Sequence, residues 1–258
     1  MEAARLSPAA DRSDWSSELM PHVDELAAEV RAVLAARWTE VGLMEHASIA
    51  ANARFALELL SLGAPPDLVR GAQEAMADET QHARDAFALA SAYAGRPVGP
   101  GALDVSRALS SSEPVEVVRT AILEGCIGET VVAVEAAEAL ATAEDEAVRS
   151  ALQRVVADET RHAELVWRFV QWMLERGDLG LRNDVATYLV ASIDAERLAA
   201  DRCAVDPPDR SDGLWRHGVI DSETRREVRR RVVREVVEPC ARDLLRKADR
   251  ELRGRLGD

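Results

Sequence analysis

The chain has 258 residues with 46 acidic and 32 basic side chains, a formal charge of −14 and an isoelectric point near 4.9. That balance argues against nucleic acid as a partner, because binding a phosphate backbone needs an excess of lysine and arginine. No apolar run approaches the roughly 18 residues of a membrane span, and the N-terminus lacks the basic-then-apolar order of a signal peptide, so no membrane partner is expected.

Alanine, leucine, glutamate and arginine dominate, and all four favour helix, so an all-α protein is expected, organised as one domain over 1–258. Residues 1–20 are polar and read as a loosely held arm. From about His22 to Leu62 no proline interrupts a helical pattern, which stops at Leu62-Gly63-Ala64-Pro65-Pro66. A second helix is expected from about Asp67 to Ala94. The stretch from Val98 to Glu113, rich in glycine, proline and serine, reads as a crossover with at most one short helix around Leu103–Leu109.

Pro114 suits the first turn of a third helix, expected to reach about Ala141, and a short turn then returns the chain antiparallel in a fourth, about Glu146 to Glu175. A fifth helix is expected over Leu181–Cys203, then a loop around Pro207-Pro208 and Gly213. A sixth is expected from Ser222, with that serine as its cap and a kink at Pro239. The last segment carries 12 basic against 8 acidic residues, which reads as a solvated helix face. Cys126, Cys203 and Cys240 are too few and too scattered for a disulfide framework or a Cys-x-x-Cys site, and fit a reducing cytoplasm.

An internal repeat carries the chemistry. Ala77-Asp78-Glu79-Thr80-Gln81-His82-Ala83 recurs as Ala157-Asp158-Glu159-Thr160-Arg161-His162-Ala163. Residues three apart share a helix face, so each Glu-x-x-His aims a carboxylate and an imidazole at one point. The first helix of each half adds a pair of glutamates five apart, Glu40 and Glu45, then Glu124 and Glu129. Each half is thus a helical hairpin giving glutamate from one arm and Glu-x-x-His from the other.

This constellation, with a crossover between the hairpins, resembles the ferritin-like di-iron carboxylate superfamily. The resemblance implies a ferritin-like four-helix bundle over 22–176, with the long crossover between its second and third helices. Two additional C-terminal helices over 181–258 would pack on that core. Helix faces then choose among the glutamates. Glu129 lies on the apolar stripe of Val118, Ile122, Val132, Ala133, Ala136 and Leu140, whereas the line through Glu124 runs into Glu135 and Glu138. Glu45 shares the stripe of Leu34, Trp38, Val41, Ile49, Ala56 and Leu59, and stands about 19 residues before the turn at Ala64, level with His82 about 18 after it.

The ligand set is therefore Glu45, Glu79, His82, Glu129, Glu159 and His162. One Glu-x-x-His in a glutamate-rich protein is readily incidental; two in register, using two of five histidines, favour metal. In oxygen-activating members of the superfamily an acidic residue precedes Glu-x-x-His, often with arginine before the histidine, and supports the imidazole. Asp158 and Arg161 match that pattern. Asp78 matches too, while Gln81 departs from it, and Glu124 joins the layer around the ligands. Gly125, Cys126 and Gly128, within a turn of Glu129, either open space beside the metal or let helices pack closely. His46 should point about 100° away from its neighbour Glu45 and be structural or support the ligands from behind. His217, in a loop, should face solvent.

The resemblance implies two iron ions, with manganese or a mixed pair suiting the same ligands. It implies dioxygen and a small organic molecule as substrates, and an external electron donor such as a ferredoxin, and it leaves room for a homodimer. The alternatives are a rubrerythrin-like peroxide-reducing protein, a ferroxidase, and a helical interaction scaffold with a structural metal.

Overall fold

Long proline-free runs of helix formers dictate long helices, and that is what the chain builds. The computed structural model describes residues 6–106, 108, 113–202 and 212–256. Among the described residues the protein is all-α apart from one two-residue ribbon. It divides into two compact units, each gathered from three stretches of sequence: Met1–Ser110, Ala136–Asp158 and Asp209–Asp221 make the first, and Ser111–Glu135, Glu159–Pro208 and Ser222–Asp258 the second.

The first unit is built on a hairpin of α1 (Ala28–Ser61) and α2 (Pro66–Ala94). The link is tight because Gly63 takes φ +66°, which a side chain would resist, while Ala64 N donates to Leu59 O at 2.9 Å and Pro66 opens α2. Ring and backbone meet midway along the hairpin, where a Cβ on Gly42 would stand 2.9 Å from the Phe87 ring. The C-terminal part of α4 (Thr130–Thr142), the first half of α5 (Glu146–Arg176) and the short α7 (Asp212–Arg216) complete this unit. Leu34, Trp38, Phe87, Leu89, Tyr93, Val148, Leu152, Leu214 and Ile220 form its core. The α7 turn was not legible as a helix in the sequence.

The N-terminal arm differs from the loose segment expected. Strand β1 (Ala9–Ala10) pairs antiparallel with β2 (Gly99–Pro100), and Arg12 Nη1 donates to Pro100 O at 3.1 Å. Further along, Arg84 Nη2 donates to Ser16 O at 3.0 Å, and His22 N donates to Asp145 Oδ2 at 2.8 Å. Helix α1 begins at Ala28, six residues later than the proline-free run suggests, because the chain first makes a turn in which Leu26 N donates to Val23 O at 3.2 Å.

The second unit contains α3 (Pro114–Ala121), a π-helical segment π1 (Ile122–Glu129), the start of α4 and the second half of α5. It adds α6 (Leu179–Arg202), α8 (Ser222–Val232), a second π segment π2 (Val233–Val237) and α9 (Glu238–Leu256). Val118, Ile122, Ile127, Phe169, Val170, Leu174, Leu189, Val228, Val232 and Val237 are its large buried side chains. Within it α6 contacts α3, α8 and π2, and π2 contacts π1. Arg229 Nε meets Glu196 Oε2 at 2.7 Å between α8 and α6.

Three details depart from the sequence reading. Helix α6 starts at Leu179 because Asp178 Oδ1 accepts Leu181 N at 2.9 Å and caps it. Ser222 is the first residue of α8, so the position before that helix belongs to Asp221. The helix also passes through Pro239 by way of π2, whose wider turn absorbs the missing N–H and the ring. The proposed helix end at Cys203, the loop at Pro207-Pro208, and Leu109 of the short crossover helix lie outside the described residues.

Candidate metal centre

Each unit brings together two carboxylates and one imidazole. In the first, α1 contributes Glu45 and α2 contributes Glu79 and His82, one helical turn apart, with ligand atoms all within 4.8 Å of one another. His82 Nδ1 stands 3.5 Å from Glu79 Oε2 and 3.9 Å from Glu45 Oε2. Glu79 and His82 are 1% and 2% exposed, so neither is a surface residue that happens to fall nearby.

The other face of the imidazole is fixed. His82 Nε2 lies 2.9 Å from Asp158 Oδ2, which turns Nδ1 toward the two glutamates. Hydrogen bonding at Nε2 selects the tautomer with a lone pair on Nδ1, the form a metal accepts. Asn52, two turns after Glu45 on α1, sends its amide toward Glu79 Oε1 at 3.4 Å.

In the second unit Glu129 ends π1, and α5 supplies Glu159 and His162; these three also keep their ligand atoms within 4.8 Å. His162 Nδ1 stands 3.4 Å from Glu159 Oε2. Glu159 and His162 are buried at 1% and 3% exposure, and Glu129 is half-buried. Gly125 explains how π1 comes so close to α5: a Cβ there would stand 2.5 Å from the Val166 methyls.

Both sets fit a divalent cation. Burying two carboxylates beside one imidazole is costly unless charge of the opposite sign accompanies them. At 3.4 to 3.9 Å, these imidazole nitrogens and carboxylate oxygens make no hydrogen bond with one another. Ligands about 2.1 Å from a shared ion stand roughly 3 to 4 Å from each other. Carboxylate oxygen with imidazole nitrogen suits iron, manganese or zinc.

The chain matches no family model, no curated protein and no solved structure.

The remaining expected residues are placed as follows. Asp158 is buried on His82, and Asp78 is half-buried. Arg161 and Glu124 are exposed. Glu40 is exposed as the stripe argument requires, its Oε2 accepting from Arg37 Nη1 at 3.1 Å. His46 meets Ser7 Oγ at 3.3 Å and the edge of Trp15 at 4.9 Å, a structural role, and burial with Arg12 nearby pushes its pKa down.

His217 overturns its expected solvent exposure. It is 8% exposed, with Nδ1 2.7 Å from the Tyr93 hydroxyl and its carbonyl accepting Trp38 Nε1 at 3.2 Å. Cys126 is fully buried in π1, and burial raises its thiol pKa, so it packs as a small hydrophobe. Asn52 escaped the sequence reading, although its spacing of seven from Glu45 puts it on the same helix face.

Proposed function

We propose that the chain is a non-haem di-iron protein of ferritin-like architecture that activates dioxygen to oxidise or oxygenate a small organic substrate. In this reading the two carboxylate–imidazole sets serve one dinuclear centre, with Glu45, Glu79 and His82 toward one ion and Glu129, Glu159 and His162 toward the other. The observation that carries it is the duplication of the set: each copy of Asp-Glu-Thr-x-His buries a glutamate and a histidine beside a glutamate from the preceding helix.

Two-electron reduction of dioxygen is the chemistry such a pair supplies when bound. The chain's own residues hold the ions, balance four carboxylates against two divalent charges and keep water away. Asp158 fixes the His82 ring. An external donor such as a ferredoxin would return the centre to its reduced state. No helix among the described residues is long and apolar enough to cross a membrane.

The test is anaerobic loading with Fe(II) followed by dioxygen in the presence of a reductant. Sustained oxygen uptake that Glu79→Ala abolishes supports the proposal. Faster turnover with hydrogen peroxide would assign the protein to peroxide reduction, accumulation of ferric mineral would assign it to iron storage, and inert protein that holds no iron would remove both enzyme readings.

A further inference from the structure

Asn52 occupies a position that no ligand pattern assigns. It lies on α1 seven residues after Glu45, so its side chain emerges two turns along the same face. Its Nδ2 reaches Ser48 O at 3.2 Å and Glu79 Oε1 at 3.4 Å. An amide nitrogen has two hydrogens, one for each of these acceptors. Flipping the amide would set its oxygen against a carbonyl and a carboxylate at once, so the orientation follows from its neighbours. The Ser48 contact holds the rotamer, and the second hydrogen points at Glu79.

Glu79 consequently has its two oxygens in different surroundings. Oε1 receives the Asn52 amide, and Oε2 faces His82 Nδ1 at 3.5 Å. A carboxylate with one oxygen accepting a hydrogen bond offers the other to a cation, and its swing between one-oxygen and two-oxygen coordination is restricted. At the matching position of the second half, seven residues after Glu129, stands Ala136.

We propose that Asn52 is a positioning residue that pins Glu79 Oε1, directs Oε2 to the metal, and thereby strengthens the hold of Glu45, Glu79 and His82 on their ion. This rests on the two-ion reading given above.

The experiment uses the full chain freed of metal and titrated with Co(II), whose visible absorption reports coordination geometry. Wild type should bind two Co(II) per chain in two resolvable steps. Asn52→Leu, of similar volume without the donor, should weaken one step by about 10- to 100-fold and change the absorption of that ion alone. The other step and the melting temperature of the metal-free protein should stay unchanged. Asn52→Ala, run beside it, should change the same step, so a packing fault in the leucine variant cannot imitate the result. Two Co(II) bound by wild type and both variants with the same affinities and spectra would overturn the role of Asn52 and leave the two-ion reading standing. Failure of wild type to bind Co(II) would overturn both.

Discussion

Asp158 and His82 are 76 residues apart in sequence and 2.9 Å apart in space, and they belong to different copies of the repeated motif. The carboxylate of the second copy orients the imidazole of the first. Asp158→Ala should therefore weaken metal binding by about 10- to 100-fold while leaving all six ligand side chains in the protein. Asp158→Asn, which keeps an oxygen for Nε2–H without its charge, should cost less. Calorimetric titration with Mn(II) checks both, and an unchanged affinity in Asp158→Ala would show that the ring needs no such support.

Gly125 is placed by packing. A methyl there would meet both Val166 methyls at 2.5 Å, so helix or side chain must shift to admit it. Gly125→Ala should destabilise by about 1–3 kcal/mol, read as a lowered urea midpoint with unchanged slope. Val166→Ala removes the obstructing methyls, so the double variant should recover part of that loss, giving a coupling energy that a double-mutant cycle measures.

The π segment that Gly125 occupies marks a limit of the sequence. Residues 114–142 read as one helix by propensity and spacing, and they form one; the shift to wider turns at Ile122–Glu129 arises from packing, which local preference does not encode. The grouping of Glu45 with Glu79 and His82, and of Glu129 with Glu159 and His162, was legible because helical spacing and a repeated motif are both visible in the sequence itself. His217 was not, because the partners that bury it, Tyr93 and Trp38, are 124 and 179 residues away. The arm misled for the same reason: its polar residues show no periodicity, and distant groups such as Asp145 and Arg84 tie it down.

Asp145 serves two segments at once. Its Oδ1 accepts Val148 N at 3.1 Å and caps α5, while Oδ2 accepts His22 N at 2.8 Å and anchors the arm. Asp145→Ala should lose about 0.5–2 kcal/mol from the cap. It should also expose residues 6–27 to protease, so limited proteolysis ought to clip the arm several times faster than in wild type.

Acid should act on this region in two stages. Burial pushes the His217 pKa below its ordinary 6.5, with Asp145 and Glu144 opposing and His22 and Arg216 assisting. The unfolded chain then takes up a proton more readily than the folded one, so this contribution is full above about pH 6.5 and declines as pH falls below it. Asp145 responds in the same direction but at lower pH. Burial raises its pKa, but the His22 and Val148 N–H groups more than offset that and hold it below the ordinary 3.8, so its contribution persists until the pH falls beneath that value. Denaturation midpoints from pH 8 to pH 5 should decline in wild type and flatten in His217→Asn.

The measurement closest to the central proposal is a count of tightly bound Fe(II) in anaerobically loaded protein, compared with His82→Ala, His162→Ala and the double variant. A dinuclear centre built from both copies of the motif requires two ions per chain in wild type, a loss of about one ion in each single variant, and almost none in the double. Fewer than one ion per chain in wild type, or two ions retained when both histidines are gone, would contradict it.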